Sequence, residues 1–547
     1  MKLNRLRPLW RLLVGACLLP ACDQQYSTEK MDAATATSEA AADNTDAAAT
    51  AETTEPVAPN APDAQLEGRE NYAVIHENPF LTAARNPLST FAIDVDRASY
   101  ANVRRFITQD RQLPPPDAVR LEELVNYFPY QYPQPRTGPA SLNAEVAACP
   151  WNTAHQLVLV GVQGKQVSAE NLPPANLVFL LDVSGSMNDP NKLPLLKESL
   201  RLLVREALRP QDYVAIVVYA GAAGVVLPPT SGAEPATILR ALDGLEAGGS
   251  TAGGEGLRLA YQLARQHRRP GGNNRIILAT DGDFNVGEQS DSDMERLITK
   301  ERESGVFLSV LGFGDGNIQD SKMELLADKG NGNYAYIDQL NEARRVLVQQ
   351  FGGTLFTLAK DVKVQVEFNP ALVREYRLLG YENRLLAAED FNDDRKDAGE
   401  LGAGQQVTAL YEVVPVGAPA TGGASVDALK YQKTAFSPAA SGAELLTVKL
   451  RYQEPQGSPS QLLTLPVRNV RLGESITQAS DNLRWAASVA QFGLLLRGSQ
   501  YAGSASWAST AELARSTNAP DADGSRSEFR DLVRQAASLG GQNRNRE

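Results

Sequence analysis

Apolar and polar positions along this chain fall into three patterns, each marking a different kind of element. From 171 to 358, unbroken apolar runs alternate with helix-period stretches. The runs are 176–181, 213–219, 275–280, 306–311 and, more weakly, 333–337; the helical stretches are 191–208, 234–246, 254–268, 290–304, 319–329 and 339–356. A continuous apolar run bounded by turns marks a strand buried on both faces, because helices cover both sides of a parallel sheet. The block therefore predicts an α/β, doubly wound, Rossmann-like domain.

On either side of this block the period drops to two. LVLVGV within 156–163 and DVKVQVEF at 361–368 alternate cleanly, and β-like pieces recur at 142–148, 375–381, 406–414, 445–452 and near 462. Alternation means one buried face per strand, the habit of antiparallel sheets. These strands are expected to pair in one β-sandwich-like domain, with the α/β block inserted into it. Upstream, FAIDV (91–95) predicts a strand, then an amphipathic helix to 107 capped by Asp96 or Ser99. A second helix is expected over 119–127, after Pro114-Pro115-Pro116. Asp94 and Asp96, two acids at a strand end with no further ligands, read as caps or salt-bridge partners. Near the C-terminus, an amphipathic helix over 478–498 and another over 527–539 precede the polar tail GGQNRNRE.

Composition changes the picture mainly at the N-terminus. The chain has 547 residues, 43% of them hydrophobic, enough for two or three domains. Its net charge of −12 is unevenly placed: 2–22 hold four bases and no acid, whereas 23–70 hold eleven acids and two bases. Residues 1–22 join a basic start to the short apolar run Leu12–Leu19, too short to span a bilayer, and read as a secretory signal. Segment 23–70, built from Ala, Thr, Asp, Glu and Pro, cannot bury enough surface to offset the entropy of ordering and reads as a disordered acidic linker. No basic stripe supports nucleic-acid binding. Cys17, Cys22 and Cys149 form neither a disulfide framework nor a zinc spacing, and Cys149 reads as a small buried apolar residue.

The candidate chemistry lies at the end of the first buried run, NLVFLLDVSGSM (176–187). Ligands in open α/β sheets collect beyond the carboxyl ends of strands. Asp182, Ser184 and Ser186 are hard oxygen donors suited to a hard divalent cation. Taken alone, the same residues could also form an N-capped turn. Enzyme motifs are missing: there is no P-loop and no HExxH, and GGSTA (248–252) lacks the last glycine of GxSxG. The three histidines, His76, His155 and His267, lie in no triad motif, and His267 follows a helix whose dipole favours a cation.

Taken together, 171–358 resembles a von Willebrand factor type A (VWA) domain. Asp182, Ser184 and Ser186 match the DxSxS of its metal-ion-dependent adhesion site, Thr251 in GGSTAGGEGL matches its threonine, and Asp281 in ILATDGDFNVG matches its later aspartate. The resemblance implies that these five residues are metal ligands, directly or through water. It implies bound Mg²⁺, or Mn²⁺ or Ca²⁺ in its place, and an open position for an Asp or Glu carboxylate from a partner protein. Glycines 248, 249, 253 and 254 are expected to let the backbone turn beside the ion, and Asp283 reads as a loop residue. VWA termini lie close together, which makes insertion into a sandwich geometrically cheap.

Leu19-Pro20-Ala21-Cys22 resembles a bacterial lipobox, which implies lipid on Cys22; a plain cleaved signal is the other reading. Asp23 then points to the periplasmic face of the inner membrane. PLSTFAIDVDRASYANVRRFI, RLEELVNYFPYQYP and VREYRLLGYENRLLAAEDFNDD resemble the YfbK-like group of bacterial VWA lipoproteins. That resemblance implies a VWF-associated segment over 71–170, a VWA domain over 171–358, a β-rich domain over 359–475 and C-terminal helices with a polar tail over 476–547. The expected function is a non-catalytic, membrane-anchored module that binds a partner protein, with no small-molecule substrate. A scaffold for envelope complexes is the alternative, and a metal-assisted hydrolase ranks below both.

Overall fold

The structure, a computed structural model, describes residues 70–544 apart from 250–252, 283–290, 351–355, 397, 420, 422–435, 456, 458 and 470–474. The expected signal, Cys22 and the linker up to 69 lie outside the described residues, as do Thr251 and Asp283.

The central sheet has six strands, in the order Tyr334–Ile337, Phe307–Phe313, Asn273–Thr280, Ala175–Asp182, Tyr213–Ala220 and Ala222–Ser231. Its first five strands pair in parallel, as the unbroken apolar runs predict. Every residue of Ala175–Asp182 is buried. Alternate side chains serve two cores: Leu177, Phe179 and Leu181 join one, Val178 and Leu180 the other. Chain order reverses between Ala175–Asp182 and Asn273–Thr280, so a crevice opens beyond their carboxyl ends. Ala222–Ser231 is an antiparallel edge strand that the apolar-run pattern misses. It is half exposed and carries Pro228 and Pro229, residues suited to an edge because they donate no hydrogen bond.

Two antiparallel sheets face each other across a second core. One orders Leu81–Thr82, Val373–Leu379, Gln406–Pro415, Asn152–Gly164 and Ala140–Cys149. The other orders Leu385–Leu386, Leu88–Ala92, Thr357–Phe368, Glu444–Gln453 and Gln461–Arg468. Val158, Val160 and Val162 of the first sheet and Val364, Val366 and Phe368 of the second share this core. Each sheet draws strands from before and after the α/β block, so the expected insertion is the observed topology. The upstream strand is Leu88–Ala92, three residues earlier than FAIDV predicts, and it also joins the sandwich, pairing with Thr357–Phe368.

Leu157 and Leu159 point the other way, into a third core beneath the C-terminal helices. Helix Asp481–Arg497 is capped by Ser480, whose hydroxyl accepts from Leu483 N at 3.2 Å, and ends at Gly498 with φ +62°. The amphipathic expectation fails for this helix. It is buried on nearly every side because 119–132 covers one face and helix Ser525–Arg544 another. Trp507–Arg515 is an additional short helix, closed by a Ser506–Ser509 capping box.

Ala98–Thr108 corrects the upstream reading in the same way. Its residues from Ala98 to Ile107 are all buried, and neither predicted cap acts as one. Asp96 accepts from Tyr334 N at 2.7 Å and pairs with Arg384 at 3.3 Å, the salt-bridge role anticipated for it. The Ser99 hydroxyl donates to Ala118 O at 2.7 Å. Cys149 is fully buried, and burial holds its thiol well above the usual range.

Candidate metal site

Asp182 ends its strand with no exposed surface, and its side chain is held entirely by hydroxyl and amide donors. Oδ1 accepts from Ser184 N at 2.9 Å; Oδ2 accepts from Tyr219 OH at 3.1 Å and Thr280 Oγ1 at 3.3 Å. Burial pushes its carboxyl up to about 6, against the pull of the Ser184 hydrogen bonds, and nearby Asp281 adds to the rise.

Beyond the strand the chain enters the short 3₁₀ turn Gly185–Asn188, pinned by fully buried Met187. The turn brings the Ser184 and Ser186 hydroxyls within 3.1 Å of each other, Ser184 buried and Ser186 exposed. Backbone bonds fasten the neighbouring loop to it: Gly185 N donates to Gly249 O at 3.1 Å and Gly248 N to Val183 O at 2.8 Å. Gly249 has φ +85°, the left-handed conformation expected of a turn glycine. Gly253 and Gly254, by contrast, already belong to helix Gly253–Gln266 and make no turn.

Asp281 lies one residue past strand Asn273–Thr280 and is also fully buried. Burial acts to raise its carboxyl, but Lys192, the Ser186 hydroxyl and Asn317 outweigh it and hold the group below the usual range. Lys192 Nζ lies 3.0 Å from Asp281 Oδ2 and 3.2 Å from Asn317 Oδ1. Its side chain runs against Gly314 (φ +78°), where any Cβ would collide with it. After Asp281, Gly282 (φ +103°) comes so close to the next loop that a Cβ would sit 2.6 Å from Gln319 N.

The structure thus brings Asp182, Ser184, Ser186 and Asp281 to one crevice, while Thr251 lies outside the described residues. Sequence reasoning misses Tyr219, Thr280, Asn317 and Lys192. Tyr219 and Thr280 end strands that flank Asp182, a position that could have flagged them. Lys192 carries no such signal, since it looks like any basic residue at a helix start. The donor set fits a hard divalent cation: paired hydroxyls at the rim, carboxylates behind them, and one rim oxygen open to solvent. Among the described residues there is no cluster of three or more His, Cys, Asp and Glu side chains able to hold a metal. A site built on serine hydroxyls is compatible with that.

His155 lies elsewhere, buried in the sandwich with Nδ1 2.6 Å from Glu412 Oε1. Arg377 and Trp151 share the same carboxylate, at 3.1 and 3.0 Å, so this is a structural knot without a nucleophilic hydroxyl in its contacts.

Three family models match successive parts of the chain: "von Willebrand factor" over 66–159, "von Willebrand factor type A domain" over 176–350, and "Uncharacterized protein YfbK, C-terminal" over 353–539. The Escherichia coli (strain K12) protein described as "Uncharacterized protein YfbK" is 46% identical over 475 residues, which cover 85% of this chain and 81% of that one. The magnesium-chelatase 60 kDa subunit of Cereibacter sphaeroides is 33% identical over 138 residues, 24% of each chain. Among solved structures, a von Willebrand factor type A protein from Catenulispora acidiphila aligns with 74% of this chain and 92% of its own. Its TM-score is 0.39 and its identity 17%.

Proposed function

Because the chain belongs to the YfbK-like family of von Willebrand factor type A proteins, we propose that its crevice is a metal-ion-dependent adhesion site that captures a carboxylate of a partner protein. Proteins with this domain mediate protein interactions. The observation that carries the reading is the placement of two buried aspartates on either side of the switch point, with the Ser184 and Ser186 hydroxyls 3.1 Å apart in front of them. Ser184, Ser186 and Thr251 would hold Mg²⁺, or Mn²⁺ or Ca²⁺, through their hydroxyls. Asp182 and Asp281 would orient those hydroxyls and compensate the ion's charge from behind. Bound there, the cation supplies an electrophilic position for an incoming Asp or Glu oxygen. Exposed Ser186 leaves that position open to a partner. Few anionic ligands reach the ion directly, so its appetite for an outside carboxylate is preserved.

The carboxylates beside the paired hydroxyls are both engaged. Asp182 is enclosed by its donors and Asp281 is engaged by Lys192, which favours holding over hydrolysis. Anchoring through lipid on Cys22, with the acidic segment 23–70 as a tether from the periplasmic face of the inner membrane, completes the proposal. Among the described residues no helix is long and apolar enough to cross a membrane.

Pull-down from membranes tests the site. Partners captured with Mg²⁺ should be lost both with EDTA and with Asp182→Ala; partners kept under both conditions overturn it. Labelling with a clickable fatty acid should depend on Cys22, and label on Cys22→Ser protein refutes the anchor.

A further inference from the structure

Away from that crevice, a cavity of ≈ 420 Å³ opens between the α/β block, the sandwich and segments 95–97 and 127–129. Arg275 precedes Asp281 by six residues, an extended span that sets its Cα about 20 Å from the aspartate of the adhesion crevice. Three guanidinium groups line the cavity: Arg97, Arg275 and Arg345. Buried arginines such as Arg104 and Arg120 are each paired with three carboxylates.

Here they are not. Arg275 is 3% exposed, and its one hydrogen-bond partner among the described residues is the Ser309 hydroxyl, at 2.6 Å. Its Nε has no partner among the described residues, and neither has that of Arg345. Arg97 has no ion pair or hydrogen bond among the described residues, and Arg345 reaches a carboxylate only through Asp523, at 3.3 Å. Burial, then the neighbouring Arg345, lowers Arg97 to about 10, and burial lowers Arg275 to about 10 as well. Both remain cations at neutral pH, held where cations are disfavoured. The acids in the wall are occupied: Asp96 by Tyr334 N and Arg384, Asp523 by Ser525 and Arg345.

Phe128, Ile277, Leu311 and Leu347 form an apolar part of the wall, and glutamines such as Gln166, Gln349 and Gln405 line another. A cavity of this size lies within the range of small-molecule sites, about 300–1,000 Å³, and exceeds what a bare inorganic anion fills. Guanidinium groups match carboxylate and phosphate oxygens in pairs. We propose that this cavity binds a small amphipathic anion, its carboxylate or phosphate head against Arg97 and Arg275 and its apolar body along Ile277 and Leu347. It is a ligand site with no turnover assigned to it, and it is independent of the adhesion reading.

Calorimetric titration of the full chain with octanoate and with phenyl phosphate, against the neutral octanol and phenol, tests it. At least one anion should bind more tightly than its neutral counterpart, with EDTA making no difference. Whichever anion binds better identifies the head group. Arg97→Gln and Arg275→Gln should each weaken that binding about tenfold or more. Half-buried Arg97 serves as the decisive position if Arg275→Gln does not fold. Without ligand, Arg97→Gln should melt at a higher temperature than wild type, because one of two neighbouring like charges is gone. Equal binding of anion and neutral analogue, or anion binding undiminished in Arg97→Gln, overturns the proposal.

Discussion

Two regions of this molecule bury carboxylates, and they treat them in opposite ways. Along the seam between 97–127 and the α/β block, most acids face an arginine. Arg104 engages Asp338 and Glu342, Arg120 engages Asp320, Glu123 and Glu324, and Arg384 engages Asp96, Glu324 and Asp328. At the crevice, among the described residues, Asp182 has hydroxyl and amide donors and no arginine, and Asp281 is paired with Lys192. A buried charge needs its counterion inside the fold unless that counterion arrives from outside. The seam pairs most of its acids within the fold; the crevice, in the function proposed above, takes its cation from outside.

The largest effect should come from breaking the seam. Arg120→Met strands Asp320, which has no exposed surface, together with Glu123 and Glu324. It should cost about 3–5 kcal/mol in urea unfolding. A loss below about 1 kcal/mol would mean the seam is not the saturated region described here.

The same chemical change should then separate the two regions. Asp320→Asn removes an ion-pair partner and should destabilise by about 2–4 kcal/mol. Asp182→Asn keeps an oxygen for Ser184 N and should change stability by about 1 kcal/mol or less, and Mg²⁺ should raise the Tm of wild type but not of this variant. Equal costs at the two positions would erase the distinction.

Glu122 sharpens it further, because it is a seam acid with no ion pair among the described residues. Burial, aided by Glu382, pushes it to about 7 from 4.5, and its Oε2 has no hydrogen-bond partner. A raised carboxyl binds more protons in the folded state. Its contribution to stability is therefore full below pH 4.5 and lost as pH rises through about 7. The loss is on the order of 3 kcal/mol and should be missing from the pH–stability profile of Glu122→Gln. At the small end, Arg534→Ala removes an exposed pair with Asp531 and should cost about 0.5 kcal/mol or less in the same assay.

The crevice was more legible in the sequence than the seam, for a local reason. Asp182, Ser184 and Ser186 sit within five residues, and a strand end followed by a tight turn brings them together whatever the rest of the chain does. The strands of the α/β block were legible because a run such as LVFLL has few environments other than a sheet covered on both faces. Helices Ala98–Thr108 and Asp481–Arg497 were misread in character because amphipathicity assumes one wet face. Here a second layer covers that face. The edge strand Ala222–Ser231 and the helix Trp507–Arg515 were missed because half-exposed Ala, Gly and Pro, or Ser and Thr, show no clear period.

By itself, then, the sequence determined the alternation of buried strands and helices, the two flanking sets of period-two strands, and the residue types of one crevice. Those depend on contacts between near neighbours in the chain. Only the tertiary structure decided that Tyr219 and Thr280 hold Asp182, that Lys192 crosses Gly314 to reach Asp281, and that Arg97, Arg275 and Arg345 meet around one cavity. Such charges become partners, or go without them, through folding alone. Their separation in sequence, 178 residues from Arg97 to Arg275 and 89 from Lys192 to Asp281, leaves no local pattern to read.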